Sequence, residues 1–400
     1  MKRMKHKNFR KLSFLLAAAL FLASCESTAR ETTRLVTTQE ESTQSEPTTQ
    51  KEESTMSNNP IDEAIALETS KVDDEPATQS AEEERIPTAE ISEKIPVKYI
   101  NLRVTDCGKI EKITYTSHDY FGNPEDEVEK AANVYLPAGY DPAKQYNVLY
   151  LMHGIGGDEN EWGMTGSTSR VKCIMDNLTY YGDIESFIVV TPNGRSATNH
   201  AANGSDYQSF YSFGKELRND LMPYIESHYS TYASAALAEA GLDAITTKTG
   251  DAEADKAAFA AQKASADADA INKALQDTRD HRAMAGLSMG GMQTINIGIG
   301  ECIDLISYFG AFSAAPTSNP AATTANLLKG NELPIHYFYN ICGTGDGIAY
   351  ASASQAAKTL PIVCDQFVDG ENFMWQELPG NHDFNIWYLG FYNFAQIAFK

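Results

Sequence analysis

Basic residues are scarce in this sequence of 400 residues: 32 Lys and Arg stand against 54 Asp and Glu, a formal net charge of −22. So large an acidic excess repels phosphate backbones and anionic surfaces, which excludes nucleic acid as a partner. Cysteine is sparse as well, six in all, and no pair has C-x-x-C spacing, so neither a zinc site nor a redox pair is expected. After the first 25 residues no apolar run approaches the roughly 20 residues that a membrane-crossing helix needs. The glycine-rich turn at 153–157 is not followed by Gly-Lys-Ser/Thr, which removes a phosphate-binding loop.

What is present begins with MKRMKHKNFRKLSFLLAAALFLASC, a basic start, an apolar run from Leu12 to Ala23 and small residues before Cys25. That order is an export signal. Its last four residues, Leu22-Ala23-Ser24-Cys25, resemble the lipobox of bacterial lipoproteins, which implies that Cys25 is lipidated and anchors the mature chain at the extracellular face of the membrane; ordinary signal cleavage would leave the protein secreted. The other five cysteines, Cys107, Cys173, Cys302, Cys342 and Cys364, are odd in number and most read as buried free thiols. Residues 26–96 are rich in Glu, Thr, Ser, Gln and Pro, with 18 acidic and 6 basic residues and almost no aromatics. Such a segment cannot bury enough apolar surface to fold and reads as a disordered tether with a mean reach of roughly 50 Å.

From residue 97 to 400 the pattern changes to short apolar runs separated by turn signals. Residues 133–136, 148–152, 187–191, 283–287, 308–312 and 336–341 read as strands, and several lack polar alternation, as strands covered on both faces do. Helical stretches lie between them, such as 214–229 with Leu217, Leu221 and Ile225 at four-residue spacing. The alternation predicts an α/β fold, a mostly parallel sheet with helices on both faces. Residues 234–278, rich in Ala and without Trp or Tyr, read as a helical hairpin packed lightly on the body, either a passive excursion or a lid.

Within AGLSMGGMQT, residues 285–294, Ser288 has the G-x-S-x-G setting between a strand-like run and a helix-capable one. This is the context of a nucleophile elbow, in which Gly286 and Gly290 leave room for a sharp turn. A serine nucleophile needs a base. Of eight histidines, His382 in PGNHDFNIW follows the strand-like run 373–378 near the chain end, whereas the others sit in the signal, in polar turns, at a strand start or, for His153, in the glycine motif. The acid expected between them is Asp346, after a buried strand, with Asp383 as its rival. Backbone donors for a developing oxyanion would come from Met289 and, in HGIGG, from Ile155 or Gly156.

With these residues in place, the chain from about Val97 to Lys400 resembles carbohydrate esterase family 1, most closely its bacterial feruloyl and acetyl xylan esterases. The motifs that carry the resemblance are NVYLPAGYD, YNVLYLMHGIGGDENEW, VVTPNG, FGKELRNDLMPYIESHYS, HRAMAGLSMGGMQT, CGTGD and GNHDFNIWYLGFYNF. The resemblance implies an α/β-hydrolase fold, a triad of Ser288, Asp346 and His382, and release of phenolic or acetyl groups from plant polysaccharide. Two departures stand out: residues 234–278 are an insertion, entering at the edge opposite the serine, and Gly345 replaces a polar residue common in relatives.

The expected activity is a serine carboxylic-ester hydrolase working through an acyl-enzyme, with no metal or organic cofactor and with feruloylated or acetylated polysaccharide as substrate. Feruloyl release is the leading reading, an acetyl xylan esterase or thioesterase the runner-up, and a carbohydrate-binding protein on an inactive hydrolase scaffold the reading from another class. Trp162, Trp387 and Tyr388 are candidates for an aromatic-friendly groove, or equally for core packing.

Overall fold

The computed structural model describes residues 91–400. The export signal, Cys25 and residues 26–90 of the tether lie outside the described residues. Residues 91–96, assigned to the tether by composition, belong instead to the folded domain. The Ser92 carbonyl accepts hydrogen bonds from Gln376 and Asn393, each at 2.9 Å, and Ile91 and Ile95 pack against the core.

Eight strands form one sheet: β1 (Lys109–His118), β2 (Glu127–Leu136), β3 (Val148–Met152), β4 (Ile188–Pro192), β5 (Arg282–Leu287), β6 (Tyr308–Phe312), β7 (Tyr337–Gly343) and β8 (Phe373–Leu378). Their order is β1-β2-β4-β3-β5-β6-β7-β8, antiparallel for β1/β2 and β2/β4 and parallel from β4 to β8. VLYLM shows why the apolar runs pair in the middle. Val148, Tyr150 and Met152 enter the apolar cluster on one face and Leu149 and Leu151 that on the other, so no residue of the strand meets water.

Helices cover both faces. α1 (Arg170–Tyr181) begins where the Ser169 hydroxyl accepts the Lys172 N–H and ends at Gly182, left-handed at φ +77°. The run expected at 214–229 is helical, but in three pieces, Phe213–Glu216, a π-type turn Leu217–Leu221, and Met222–His228. Residues 234–278 form four helices rather than one hairpin: Ser234–Glu239, Ala244–Thr247, α2 (Ala252–Ser265) and α3 (Ala268–Asp277). Gly241 and Gly250, both at positive φ, and the N-caps Asp243, Asp251 and Asp267 divide it. Leu237, Leu242 and Leu275 anchor the segment in the core, whereas α2 has no fully buried residue and touches the core through the half-buried Phe259.

Three more helices frame the rim at the carboxyl ends of the parallel strands: α4 (Met289–Gln293), α5 (Tyr350–Val363) and α6 (Phe384–Ala395). The insertion leads into the start of β5, while Ser288 follows its end, so the two lie at opposite edges of the sheet. All five described cysteines are free thiols, four of them buried. Among the described residues no helix is long and apolar enough to cross a membrane.

Candidate active site

Ser288 links β5 to α4 at φ +51° and ψ −113°, a conformation that a residue with a side chain avoids and that stores about 1–3 kcal/mol of strain. Three backbone bonds hold it there. Its N–H donates to the Phe312 carbonyl at 2.9 Å, and its carbonyl accepts from Met292 at 3.0 Å and Ala315 at 2.9 Å. A Cβ on Gly286 would stand 2.5 Å from the Gly290 carbonyl carbon, and one on Gly290 would stand 2.5 Å from the Met152 oxygen. The strand, turn and helix therefore close together only with glycine at both positions.

The hydroxyl so presented meets His382, whose Nε2 lies 3.0 Å from Ser288 Oγ. His382 Nδ1 in turn lies 2.7 Å from Asp346 Oδ2. These three side chains stand at the ends of β5, β8 and β7 and form one hydrogen-bonded line. Asp346 is almost wholly buried, and its other oxygen accepts the Ile348 and Ala349 N–H groups at 2.9 and 2.8 Å. Burial alone would push its carboxyl up, but the bonds from His382 and from these backbone donors outweigh it and hold the carboxyl at about 2. It is a carboxylate at any working pH. Asp383, the rival acid, caps α6 by accepting the Asn385 N–H.

Gly345 serves this geometry. Its N–H donates to the Gly380 carbonyl at 2.8 Å, and a Cβ there would stand 2.9 Å from that oxygen, so the turns carrying Asp346 and His382 lie directly against each other. Trp387 sets its ring edge-on to His382, centroids 5.1 Å apart.

The turn after β3 is oriented peptide by peptide. Glu161 accepts the Gly154 N–H at 2.5 Å. His153 donates through Nδ1 to the Gly154 carbonyl at 2.7 Å, while its Nε2 accepts the Gly194 N–H at 2.8 Å. Arg195 donates to the Ile155 carbonyl and, at 2.7 Å, to the Gly157 carbonyl. In a trans peptide the N–H points away from its carbonyl, so the Ile155 and Gly156 N–H groups face away from His153 and Arg195. Ile155 packs in one small cluster with Phe210, Met289, Met292 and Ala315, which brings it beside the first helical residue after the nucleophile. The Met289 N–H belongs to the first turn of α4, where helices leave donors free. Gly156 is exposed.

His153 is neutral in this arrangement. Burial lowers it to about 4, against the pull of the Gly154 carbonyl, and the Arg195 charge lowers it further. The sequence reading singled out neither Arg195 nor Glu161. Arg195 acts on backbone about 40 residues away and follows VVTPNG directly, whereas Glu161 acts on the Gly154 N–H seven residues back, within YNVLYLMHGIGGDENEW.

One expectation is corrected. Trp162 is fully buried beneath the site, with its indole N–H bonded to the Met152 carbonyl at 2.9 Å and Phe312, Phe384, Tyr388 and Phe391 around it, so it cannot line a groove. Trp387, 7% exposed, packs on His382 instead of on a solvent-facing wall. Of the three aromatics only Tyr388 keeps a partly open surface. Among the described residues no group of three His, Cys, Asp or Glu is arranged to hold a metal ion.

Comparison with known proteins adds the following. Residues 127–242 match the family model described as putative esterase. The chain is 32% identical over 298 residues, 71% of its length, to endo-1,4-beta-xylanase Y of Acetivibrio thermocellus, and 31% identical over 211 residues, 50% of its length, to an endo-1,4-beta-xylanase/feruloyl esterase of Xylanibacter ruminicola. It spans 22% of the length of each of these curated relatives. Among solved structures it resembles the CE1 ferulic acid esterase of the anaerobic fungus Anaeromyces mucronatus, with a TM-score of 0.56, 26% identity, 78% of this chain and 98% of the other. A serine-to-alanine mutant of the feruloyl esterase module from Clostridium thermocellum, complexed with sinapinate, gives the same TM-score and identity, over 78% of this chain and 95% of the other.

Proposed function

Starting from an α/β-hydrolase domain of the esterase family that shares its fold with CE1 ferulic acid esterases nearly end to end, we propose that this protein is a serine carboxylic-ester hydrolase that releases ferulic or related hydroxycinnamic acids from plant cell-wall polysaccharide. The hydrogen-bonded line from Asp346 through His382 to Ser288, mounted on a strained strand-to-helix turn, carries this reading.

Each step follows from that line. His382 Nε2 takes the proton as Ser288 Oγ attacks the ester carbonyl carbon, and Asp346 holds the ring in the tautomer with its proton on Nδ1. Charge builds on the carbonyl oxygen, where the N–H of Met289 and that of Ile155 or Gly156 receive it. Collapse expels the sugar alcohol, protonated by His382, and leaves an acyl-enzyme on Ser288. Water then attacks that ester with His382 again as base, freeing the acid. Of the apolar cluster beside the serine, Phe210, Met289, Met292 and Ala315 are buried and only Ile155 keeps a partly open surface, so the likeness to ferulic acid esterases is what supports the acyl preference. Faster hydrolysis of methyl ferulate than of acetylated xylan by the soluble domain tests the acyl preference; the reverse order would make it an acetyl esterase.

Cys25 is the lipid attachment site in this reading, and the acidic segment that follows lets the enzyme work beyond the outer face of the bacterial membrane. The support is the export signal ending in Leu22-Ala23-Ser24-Cys25. Acyl-chain labelling lost in Cys25→Ala is the expected result, and an unlabelled, freely released wild type would sink it.

A further inference from the structure

Glu161 is a second carboxylate beside the nucleophile, and the triad does not use it. Its side chain is 21% exposed, and its nearest basic group within salt-bridge range is His153 Nδ1, 4.0 Å from Oε2. The same oxygen accepts the Gly154 N–H at 2.5 Å. Gly154 stands over Ser288: the point its Cβ would occupy is 3.4 Å from Ser288 Cβ and 3.5 Å from Glu161 Oε2, so that carboxylate oxygen and the Ser288 Cβ are at most about 7 Å apart. A Cβ at Gly157 would overlap the carboxyl group, so that glycine leaves room for it.

A negative charge so near a forming oxyanion opposes the reaction unless it does something else there. Two tasks are visible. One is mechanical, since Glu161 holds the first peptide of the turn whose next peptides are held by His153 and Arg195. The other is electrostatic, since the carboxylate lies within about 7 Å of Ser288 Cβ and the His382 ring stands 3.0 Å from Ser288 Oγ, which brings the ring within reach of that charge. We propose that Glu161 is a positioning residue that locks the oxyanion turn through the Gly154 N–H and supplies, besides Asp346, a second negative charge facing His382. The inference rests on the esterase reading above.

Burial pushes the Glu161 carboxyl up, and Asp158 adds to that; the Gly154 N–H, Arg195 and His382 pull it down. Its charge is therefore lost at a higher pH than that of an exposed glutamate, and its removal by mutation should be visible in the acid limb of kcat/KM.

The test uses p-nitrophenyl acetate, with active sites counted by fluorophosphonate titration. Glu161→Ala loses both tasks: kcat per titrated site should fall about 10- to 100-fold with KM little changed, less than the 10²–10³ for deleting an oxyanion donor outright. Glu161→Gln keeps an acceptor oxygen and loses the charge. It should recover kcat to within about fivefold while the acid limb of kcat/KM moves to lower pH, because one negative charge beside the site is gone. A role confined to stability would move the melting temperature and leave both readouts in place. Wild-type kcat per site in Glu161→Ala overturns the mechanical task, and should that variant fail to fold, a Glu161→Gln profile superimposed on wild type overturns the proposal alone. A wild type inactive on this ester would instead sink the esterase reading itself.

Discussion

Gly290 presses against the end of β3: a Cβ built on it would stand 2.5 Å from the Met152 carbonyl oxygen and 2.8 Å from that of His153. The nucleophile helix is thereby docked on the strand that leads into the oxyanion turn. Met289 and Ile155, which carry two of the proposed donors, ride on the two surfaces that touch.

Gly290→Ala should therefore cost more activity than stability. Backbone lies on both sides of the contact, so α4 must shift, at about 1–3 kcal/mol as for other overpacked cores. A shift of a few tenths of an ångström also separates the two donors. Expected are a lower melting temperature and a loss of kcat that persists at temperatures where the variant is fully folded; unchanged kcat would mean that the donors do not depend on this contact.

Ser288 pays for its reach with backbone strain, and two substitutions separate the chemistry from the strain. Ser288→Ala keeps φ +51° and the strain but removes the nucleophile, so turnover should drop by several orders of magnitude with the melting temperature close to wild type. Ser288→Gly is equally inactive but freed of the Cβ clash. It should be more stable by up to about 1 kcal/mol, after the greater freedom of glycine in the unfolded chain is subtracted. Paired thermal melts decide; a Gly variant less stable than the Ala variant would contradict the strain.

Asp346→Asn leaves the Ile348 and Ala349 N–H groups an acceptor but offers His382 a neutral partner. The imidazole then loses its counter-charge and its preference for the proton on Nδ1. A fall in kcat on the order of 10⁴-fold is expected, as for the same change in a serine protease triad, with the fold retained by circular dichroism.

Much of this arrangement can be read from sequence because it rests on local chemistry. Continuous apolar runs such as VLYLM mark strands buried on both faces, and the glycines around Ser288 mark the elbow. Chain order then leads to Asp346 and His382. The strand Lys109–His118 escaped because its few apolar residues are split between the two faces, Ile113 and Tyr115 toward one cluster and Ile110 toward the other, among lysines and threonines left open to water. The division of 234–278 into four helices was hidden by its uniform Ala content, although Gly241 and Gly250 sit where it breaks. Trp162 stayed open between groove and core because a tryptophan near a glycine motif looks the same on a groove wall or beneath it; its burial and its bond to the Met152 carbonyl place it in the core. Arg195 was hidden because the carbonyls it holds, those of Ile155 and Gly157, are brought near only by folding, and Glu161 because a carboxylate seven residues after a glycine carries no pattern of its own.

Buried histidines give the fold a pH dependence whose sign follows from where the proton goes. His153 and His228 are both lowered to about 4, in each case chiefly by burial. The unfolded chain takes up protons on these rings near pH 6.5. Between pH 6.5 and 4 the unfolded state therefore binds more protons, and stability present in full above 6.5 falls as pH drops, by up to about 3 kcal/mol for each ring. His281, lowered by burial, adds in the same direction, and Glu161, raised by burial, opposes it. Asp346, held at about 2, loses its contribution only below the ordinary carboxylate range, outside this window. His228 is the residue to change, because it lies away from the site, stacked 3.9 Å from Tyr224 and edge-on to Phe259, where a phenyl ring fits. His228→Phe gives up the bond to the Tyr224 carbonyl, about 1 kcal/mol at pH 7, but removes one titrating ring. Urea denaturation at pH 7.5 and pH 4.5 should show a smaller drop in stability for the variant than for wild type, by 1 kcal/mol or more on the order of the lost linkage. Equal drops in the two proteins would mean that His228 takes up its proton as readily folded as unfolded.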